Sequence, residues 1–459
     1  MKKSDWLQIA GKPIFIVLAA GLLLRLVLFF IFQPWAHLDE LLFADAGQYH
    51  SLALQLLRHG NFIVPGSSMD TFRTPGYPVF IAFIYAITGP WAPAVLLAQI
   101  ITGLASVYLV YRIGKLLFSE AAGLIAAILL CVEPDQLYYT YSLLTDNLFV
   151  FVLLVSTLSL LYFFRGGRAG YLVLASVLTG IASLVRPITS LYPAVIITLL
   201  ILFAVRSGKW KWATVTGYSV LVLLCYAMTI TPWMERNHTE YGYASLSSIT
   251  GSNLLNYNVA YTIKRLEHRP IDQVREDLNV KVMRADSSEK MNNPFYRSKV
   301  AGKLALDYIV HHKKDYLVSH LLGMVNIYSS MEFKPFTHRF FKTETNTMTD
   351  GTFDKFSMNA GRLRTLPLVQ LVTGILFALL MLAYYASAAW GAVLVFREKR
   401  YALLLALAII ILYFTLLTGV VGLARYKLPI SPFYILLSGY CLDHLLQLRR
   451  HDKKALQQS

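Results

Sequence analysis

Apolar stretches close to the length of a bilayer crossing recur along this 459-residue chain, and they leave few folds open to it. A hydrocarbon core takes about 20 residues of helix to cross, and each crossing segment has to satisfy its own backbone hydrogen bonds. With 56% of its residues hydrophobic and 15% charged, the chain reads as an integral, polytopic, all-α membrane protein. Its formal charge of +16 would fit a nucleic-acid partner, but the lysines and arginines gather in short connections between apolar runs. Positive-inside bias accounts for that placement, so no nucleic-acid partner is expected. The three cysteines, Cys131, Cys225 and Cys441, sit inside apolar runs without C-x-x-C or Cys/His spacing, as packing residues would.

Taking basic clusters as cytoplasmic markers, spans fall near residues 14–32, 92–111, 120–133, 144–164, 170–185, 189–205 and 212–232, then 367–395, 401–420 and 428–446. Both termini then face the cytoplasm, and Lys2, Lys3 and Lys12 with no convincing cleavage site after the first run predict a retained signal anchor. The run Tyr77 to Ile87 is short. A full crossing there would turn Arg112, Lys115, Arg165, Arg168, Arg206, Lys209 and Lys211 outward, so it is expected to be re-entrant or interfacial. Three regions result: a transmembrane module over 1–232 with a first outer loop at 33–76, an extracytoplasmic loop over 233–366, and C-terminal helices with a basic tail over 367–459. In the long loop, the amphipathic runs Ile271 to Met291 and Lys299 to Tyr328 present Leu304, Ile309, Leu317, Leu321 and Met324 and suit helices lying on the membrane surface.

The first outer loop is unusually rich in chemistry for so apolar a chain. It runs from Asp39 and Glu40 through Asp45-Ala46-Gly47-Gln48-Tyr49 to Arg73-Thr74-Pro75-Gly76-Tyr77-Pro78. Residues 44–58 read as a short helix with Tyr49, Leu52, Ala53, Leu56 and Leu57 on one stripe, opened by Asp45. Asp45 and Gln48 have capping-box spacing, which needs no catalytic role; a carboxylate oriented by a helix end also suits a general base. Thr74 can cap and Pro75 can enter the next helix, leaving Arg73 as either a snorkelling arginine or an anion contact. Further cations fall at outer ends of spans: Arg186 before Pro187, and Arg425 and Lys427 before Pro429. Forked guanidiniums around one outward cavity would suit a phosphate head group. Between the third and fourth spans lie Glu133-Pro134-Asp135, Tyr138 to Ser142 and Thr145-Asp146, acids that suit contacts to sugar hydroxyls, a cation or a nearby arginine, with capping of its span as the other reading of Asp146.

On these residues the chain resembles the GT-C superfold glycosyltransferases that use polyprenyl-phosphate sugars, the group that includes protein O-mannosyltransferases and the lipid A aminoarabinose transferase. The matching pieces are Asp45-Ala46-x-x-Tyr49 followed by Leu52-Ala53 and Gly60, Arg73-x-Pro75-Gly76-Tyr77-Pro78, Gly180 through Leu184-x-Arg186-Pro187, Pro232-Trp233-x-x-Arg236-Asn237 with Gly251-x-Asn253-Leu254, and Arg425-Tyr426-Lys427-Leu428-Pro429-x-x-Pro432. The resemblance implies a GT-C fold of about ten or more transmembrane helices with interfacial helices on the extracytoplasmic side. It further implies that Asp45 is the first-loop catalytic aspartate, with Asp146 as a second candidate catalytic acid, and that Tyr49 and Asp146 share its outward cavity. Arg73 and Arg425 become candidate phosphate contacts, and Tyr77, Arg186, Arg236, Asn253 and Lys427 further candidate substrate-binding residues. The chain departs from better-known members in ending soon after its tenth expected span, which leaves the acceptor open.

The activity expected is inverting sugar transfer from a polyprenyl monophosphate, undecaprenyl phosphate in a bacterium, to a hydroxyl acceptor on a glycolipid, polymer or protein. It would take place in the bacterial cytoplasmic membrane, with membrane lipids as surroundings. Phosphate is a competent leaving group, so no cofactor or metal is required, and no ligand set is spaced for one. The six histidines of the long loop, His311 and His312 among them, read as interface residues. Two rivals stand beside this reading: a carrier-lipid transporter, and a polymerase or ligase using a diphosphate-linked donor.

Overall fold

Each of the ten apolar runs is a helix in the computed structural model, which describes residues 13–64, 66–208, 210–343 and 366–458 and contains no strand among them. Lys2, Lys3, Lys12 and Lys209 lie outside the described residues. The first bundle begins with α1 (Pro13–Phe32), after which α2 (Asp45–His59) and α3 (Gly76–Thr88) occupy the polar break. It continues through α4 (Ala92–Leu117), α5 (Glu120–Cys131), α6 (Pro134–Thr140), α7 (Asp146–Gly166), α8 (Ala169–Val185), α9 (Tyr192–Ser207) and α10 (Trp212–Tyr241). An outer layer follows, α11 (Ala260–Glu267), α12 (Ile271–Ala285), α13 (Pro294–His311), α14 (Lys313–Ser329) and α15 (Phe333–Phe341). The bundle closes with α16 (Leu368–Arg397), α17 (Tyr401–Leu417) and α18 (Ser431–Gln458).

Among the described residues six helices are long and apolar enough to cross a membrane, and α5 with α6, bent by 56°, would make a seventh. The bend has a local cause. Pro134 supplies no N–H to continue α5, and the Glu133 carboxylate instead accepts from the Gln136 N–H at 2.6 Å, capping α6. Helices α8 and α17, at 17 residues each, are apolar but below a full crossing, as where a bilayer is locally thin. Pro232 does not end α10, which runs on to Tyr241, so Trp233, Arg236 and Asn237 ride on a helix rather than in the loop.

The basic ends of the helices gather at one pole. Arg165 and Arg400 donate to the carbonyls of Leu116 and Leu117, closing the C-terminus of α4 with cations as its dipole favours. At the other pole the Tyr77 hydroxyl donates to Gln99 Oε1 at 2.6 Å, and the Gln99 amide donates to the carbonyls of Thr140 and Ser142, both at 2.9 Å. Helix α3 therefore starts at the pole where α4 also starts. Its 13 residues span about 20 Å, short of the hydrocarbon thickness, and the chain enters and leaves α3 on one side.

A continuous apolar core fills the bundle, and a second, smaller one lies under the outer layer around Val259, Val274, Leu278, Met291 and Ala305. Both amphipathic runs of the long loop are helical, and α13 has two apolar faces. Leu304 and Ile309 pack against the smaller core, whereas Leu306 and Val310 join Leu317, Leu321 and Val325 of α14 as exposed apolar residues suited to a membrane surface.

Candidate active site

Helix α2 delivers Asp45 at its first residue. The preceding Ala44 has φ 53°, a left-handed conformation costly for a residue with a Cβ, and its side chain caps nothing. The capping box with Gln48 does not form. Gln48 Oε1 accepts instead from Arg73 Nε at 2.9 Å, while Arg73 Nη2 donates to Asp45 Oδ1 at 2.5 Å and Nη1 to the Tyr49 hydroxyl at 3.4 Å. The same guanidinium lies over the Tyr49 ring, 5.0 Å from its centroid. Thr74 and Pro75 make no side-chain cap for α3. Gly76 is needed for a different reason: a Cβ there would sit 2.8 Å from the backbone carbonyl of Leu184. That close approach of α3 to the end of α8 brings Arg73 and Arg186 to the same place.

Asp146 opens α7 and is sealed, its side chain 1% exposed, with Arg186 on Oδ1 and Arg425 Nε on Oδ2 at 2.6 Å. Thr145 provides no side-chain cap either. Arg425 reaches both acids, since its Nη1 also lies 3.4 Å from Asp45 Oδ2. It stands on a single 3₁₀ turn, Ala424–Lys427, fixed by a close backbone approach: Gly422 has φ +57°, and a Cβ there would meet the Gly323 carbonyl of α14 at 2.4 Å. Three guanidiniums thus face two carboxylates, a net charge of 3 − 2 = +1. Burial pushes the Asp45 pKa up, but Arg73 and then Arg425 outweigh it and hold the carboxyl below its ordinary range. Asp45 is the accessible acid, its side chain 38% exposed against 1% for Asp146.

Five of the sequence-derived candidates form this cluster, with Tyr49 at its edge. The others are placed elsewhere. Tyr77 is fully buried and meets Tyr49 edge-on at 5.1 Å, a support beneath the cluster. Lys427 is sealed, with Nζ 2.7 Å from Asp135 Oδ2 and donating to the Ser330 carbonyl at 3.0 Å. Arg236 is paired with Asp70 at 3.0 Å. Asn253 is half-buried where the turn Ile249–Asn253 passes into a π-helical segment, Leu254–Val259, and no hydrogen bond described joins it to the five. Asp39 is exposed, and Glu40 accepts from Arg339 at 2.9 Å. Sequence reasoning gave Gln48 only a capping role and missed Gln99 as an organiser, because a neutral amide inside a span carries no distinctive signal.

Among the described residues no three His, Cys, Asp or Glu side chains converge as a metal-ligand group. The space between Asp45 and Asp146 is spanned by the Arg425 guanidinium.

Residues 72–234 match a family model described as dolichyl-phosphate-mannose-protein mannosyltransferase, a stretch that holds Arg73, Asp146 and Arg186. A Bacillus subtilis protein, YycA, described provisionally as a mannosyltransferase, is 28% identical over 143 residues, 30% of this chain and 21% of that protein. The archaeal oligosaccharyltransferase AglB from Archaeoglobus fulgidus, solved with an inhibitory peptide and a dolichol-phosphate, superposes over 97% of this chain and 51% of its own, at 14% identity and a TM-score of 0.52. Its apo form gives a TM-score of 0.54 over 98% of this chain and 53% of its own, also at 14% identity. ArnT from Cupriavidus metallidurans bound to undecaprenyl phosphate covers 93% of this chain and 76% of its own at 13% identity and a TM-score of 0.42. This chain spans about half the length of the oligosaccharyltransferase and about a fifth of the Bacillus protein. The GT-C fold implied by the sequence resemblance is the fold of this chain.

Proposed function

We propose that this GT-C chain is an inverting glycosyltransferase that moves a sugar from a polyprenyl monophosphate to an acceptor hydroxyl on the extracytoplasmic face of a bacterial cytoplasmic membrane. One observation carries the reading: Arg425 bridges an exposed and a buried aspartate, with Arg73 and Arg186 flanking them. The basic residues at the opposite pole support the outward placement, by positive-inside bias.

Asp45 is the base. Held ionised by its arginines and open to one side, it takes the proton of the acceptor hydroxyl as that oxygen bonds to the anomeric carbon. The bond from that carbon to the phosphate oxygen breaks on the opposite face, its electron pair leaving with the phosphate, so the anomeric configuration inverts. Arg73 and Arg425 receive the charge developing there, in a setting where preorganised cations need little rearrangement. Donor binding also prepares the base, because the negative charge of a phosphate set beside Arg73 and Arg425 offsets the cations that lower the basicity of Asp45. Asp146 serves differently: sealed and bound to two guanidiniums, it fixes Arg186 and Arg425 in place.

The charge of the cluster favours a monophosphate link. A sugar phosphodiester carries one negative charge and neutralises the net +1, whereas a diphosphate link would bring a surplus. The test is the purified protein in liposomes with undecaprenyl-phosphate-linked mannose and other hexoses, read for free polyprenyl phosphate and glycosylated acceptor. Release of a lipid monophosphate together with an inverted product is expected. Movement of the intact lipid across the bilayer without bond cleavage, or use of diphosphate-linked donors alone, would contradict the reading.

A further inference from the structure

The motif Pro232-Trp233-x-x-Arg236-Asn237 is left unused by the catalytic cluster, yet its charged residue is tied to the segment that presents Arg73. We infer that Asp70 and Arg236 form a latch that positions Arg73, making both of them positioning residues for sugar transfer. The inference rests on Arg73 as a contact of the donor phosphate.

Asp70 belongs to a single helical turn, Met69–Phe72, whose end is Arg73 itself, in extended backbone with its N–H on the Met69 carbonyl at 2.8 Å. A four-residue turn in an outer loop has little stability of its own, so what holds it decides where the next side chain points. Asp70 is 1% exposed, and its Oδ2 accepts from Arg236 Nη2 at 3.0 Å and from the Tyr241 hydroxyl. A second fastening comes one residue on: the Ser248 N–H donates to the Thr71 carbonyl at 2.8 Å, and the two hydroxyls meet at 3.0 Å.

The other half of the latch is rigid. Arg236 lies over the rings of Trp233 at 5.0 Å and Tyr241 at 5.4 Å, and its Nη1 donates to Asn237 Oδ1 at 2.9 Å. Asn237, fully buried, donates to the Ser245 carbonyl at 2.7 Å, and the Trp233 indole donates to the Leu246 carbonyl at 2.8 Å. The continuation of α10 past Pro232 and the returning loop to Ser248 thus act as one block against which the Asp70 turn is set. Arg73 leaves that turn with few residues of freedom and reaches Asp45, Gln48 and Tyr49 together. Removing the latch leaves every member of the cluster in the sequence and loosens only the anchor of one. Small displacements at a reacting centre can cost about a hundredfold in rate.

The test is a double-mutant cycle on the purified full-length protein in liposomes, with undecaprenyl-phosphate-linked mannose as first donor and the hexose panel behind it. Asp70→Asn, which keeps the shape and loses the charge, should lower kcat about tenfold to a hundredfold with acceptor KM unchanged. In an Arg73→Ala background, the same change should cost nothing further, since residues acting through one group are not additive. The exchanged pair Asp70→Arg with Arg236→Asp should recover part of the loss, and a thermal melt should separate poor folding from poor positioning. If Asp70→Asn slows the Arg73→Ala enzyme as much as the wild type, the latch is overturned while the phosphate site stands. If Arg73→Ala itself leaves donor kinetics unchanged, the phosphate reading fails and the latch with it.

Discussion

Arg425 and Lys427 stand two residues apart on the same 3₁₀ turn, and their surroundings give them opposite tasks. Arg425 turns toward two carboxylates at the pole of the bundle, one of them accessible. Lys427 turns inward, 0% exposed, against Asp135 and the Ser330 carbonyl. From sequence the two look equivalent, as cations before Pro429 at the outer end of a span. Reach and geometry separate them: a forked guanidinium can serve two acids and still present an edge to a phosphate, whereas a fully buried ammonium whose three donors meet a carboxylate, a carbonyl and the Met381 sulfur is closed to a substrate.

The contrast can be broken by substitution. Arg425→Ala should cut transfer by about a hundredfold to a thousandfold while the protein still reconstitutes in folded form, as loss of a preorganised charge-stabilising group does; kcat with the lipid-linked donor checks it. Lys427→Ala should act on stability, by about 3–5 kcal/mol, because Asp135 would be left as a buried charge without its partner. Denaturation in detergent measures that. Replacing the pair together, Lys427→Met with Asp135→Leu, should restore much of the stability and leave the donor KM near wild type. A Lys427→Ala protein of normal stability with selectively lost donor binding would reverse the two assignments.

Two finer effects sharpen the same contrast. Because Arg73 and Arg425 hold the Asp45 carboxyl down, the acid limb of kcat/KM for the free enzyme should lie below the usual aspartate value of about 3.9. Arg73→Ala removes a cation and should move that limb upward in a pH–rate profile. The linkage has the corresponding sign: a depressed folded-state pKa adds stability at pH above the unfolded value, and that stability is lost as pH falls through the folded one. The smallest effect expected is that of a chelator. With Arg425 already spanning the two acids, saturating EDTA should leave the transfer rate unchanged.

The helices and the cluster were legible in sequence for different reasons. Spans announce themselves through length and apolarity, and each of the ten expected positions is helical, because lipid permits little else. Asp45 and Arg73 stood out in the polar break after the first span, and Asp146, Arg186 and Arg425 as charges at the ends of spans, where charge is costly without a use. The partners of those charges were hidden. Asp70 and Asp135 lie far along the chain from Arg236 and Lys427, and no spacing rule links residues that only the packed bundle brings together. Arg25 escaped notice altogether: it sits inside the first span, 1% exposed, donating to the Gly21 carbonyl and the Cys131 sulfur. Local patterns also misled where tertiary contacts won. The capping-box spacing of Asp45 and Gln48 is real, but Arg73 claims both side chains.

The most direct measurement of the central claim compares wild type with Asp45→Asn in proteoliposomes carrying undecaprenyl-phosphate-linked sugar. An amide keeps the size and the helix-end position but cannot take a proton, so the variant should bind undecaprenyl phosphate and lose about a hundredfold to ten-thousandfold in transfer. Transfer at the wild-type rate by a folded Asp45→Asn protein would contradict it.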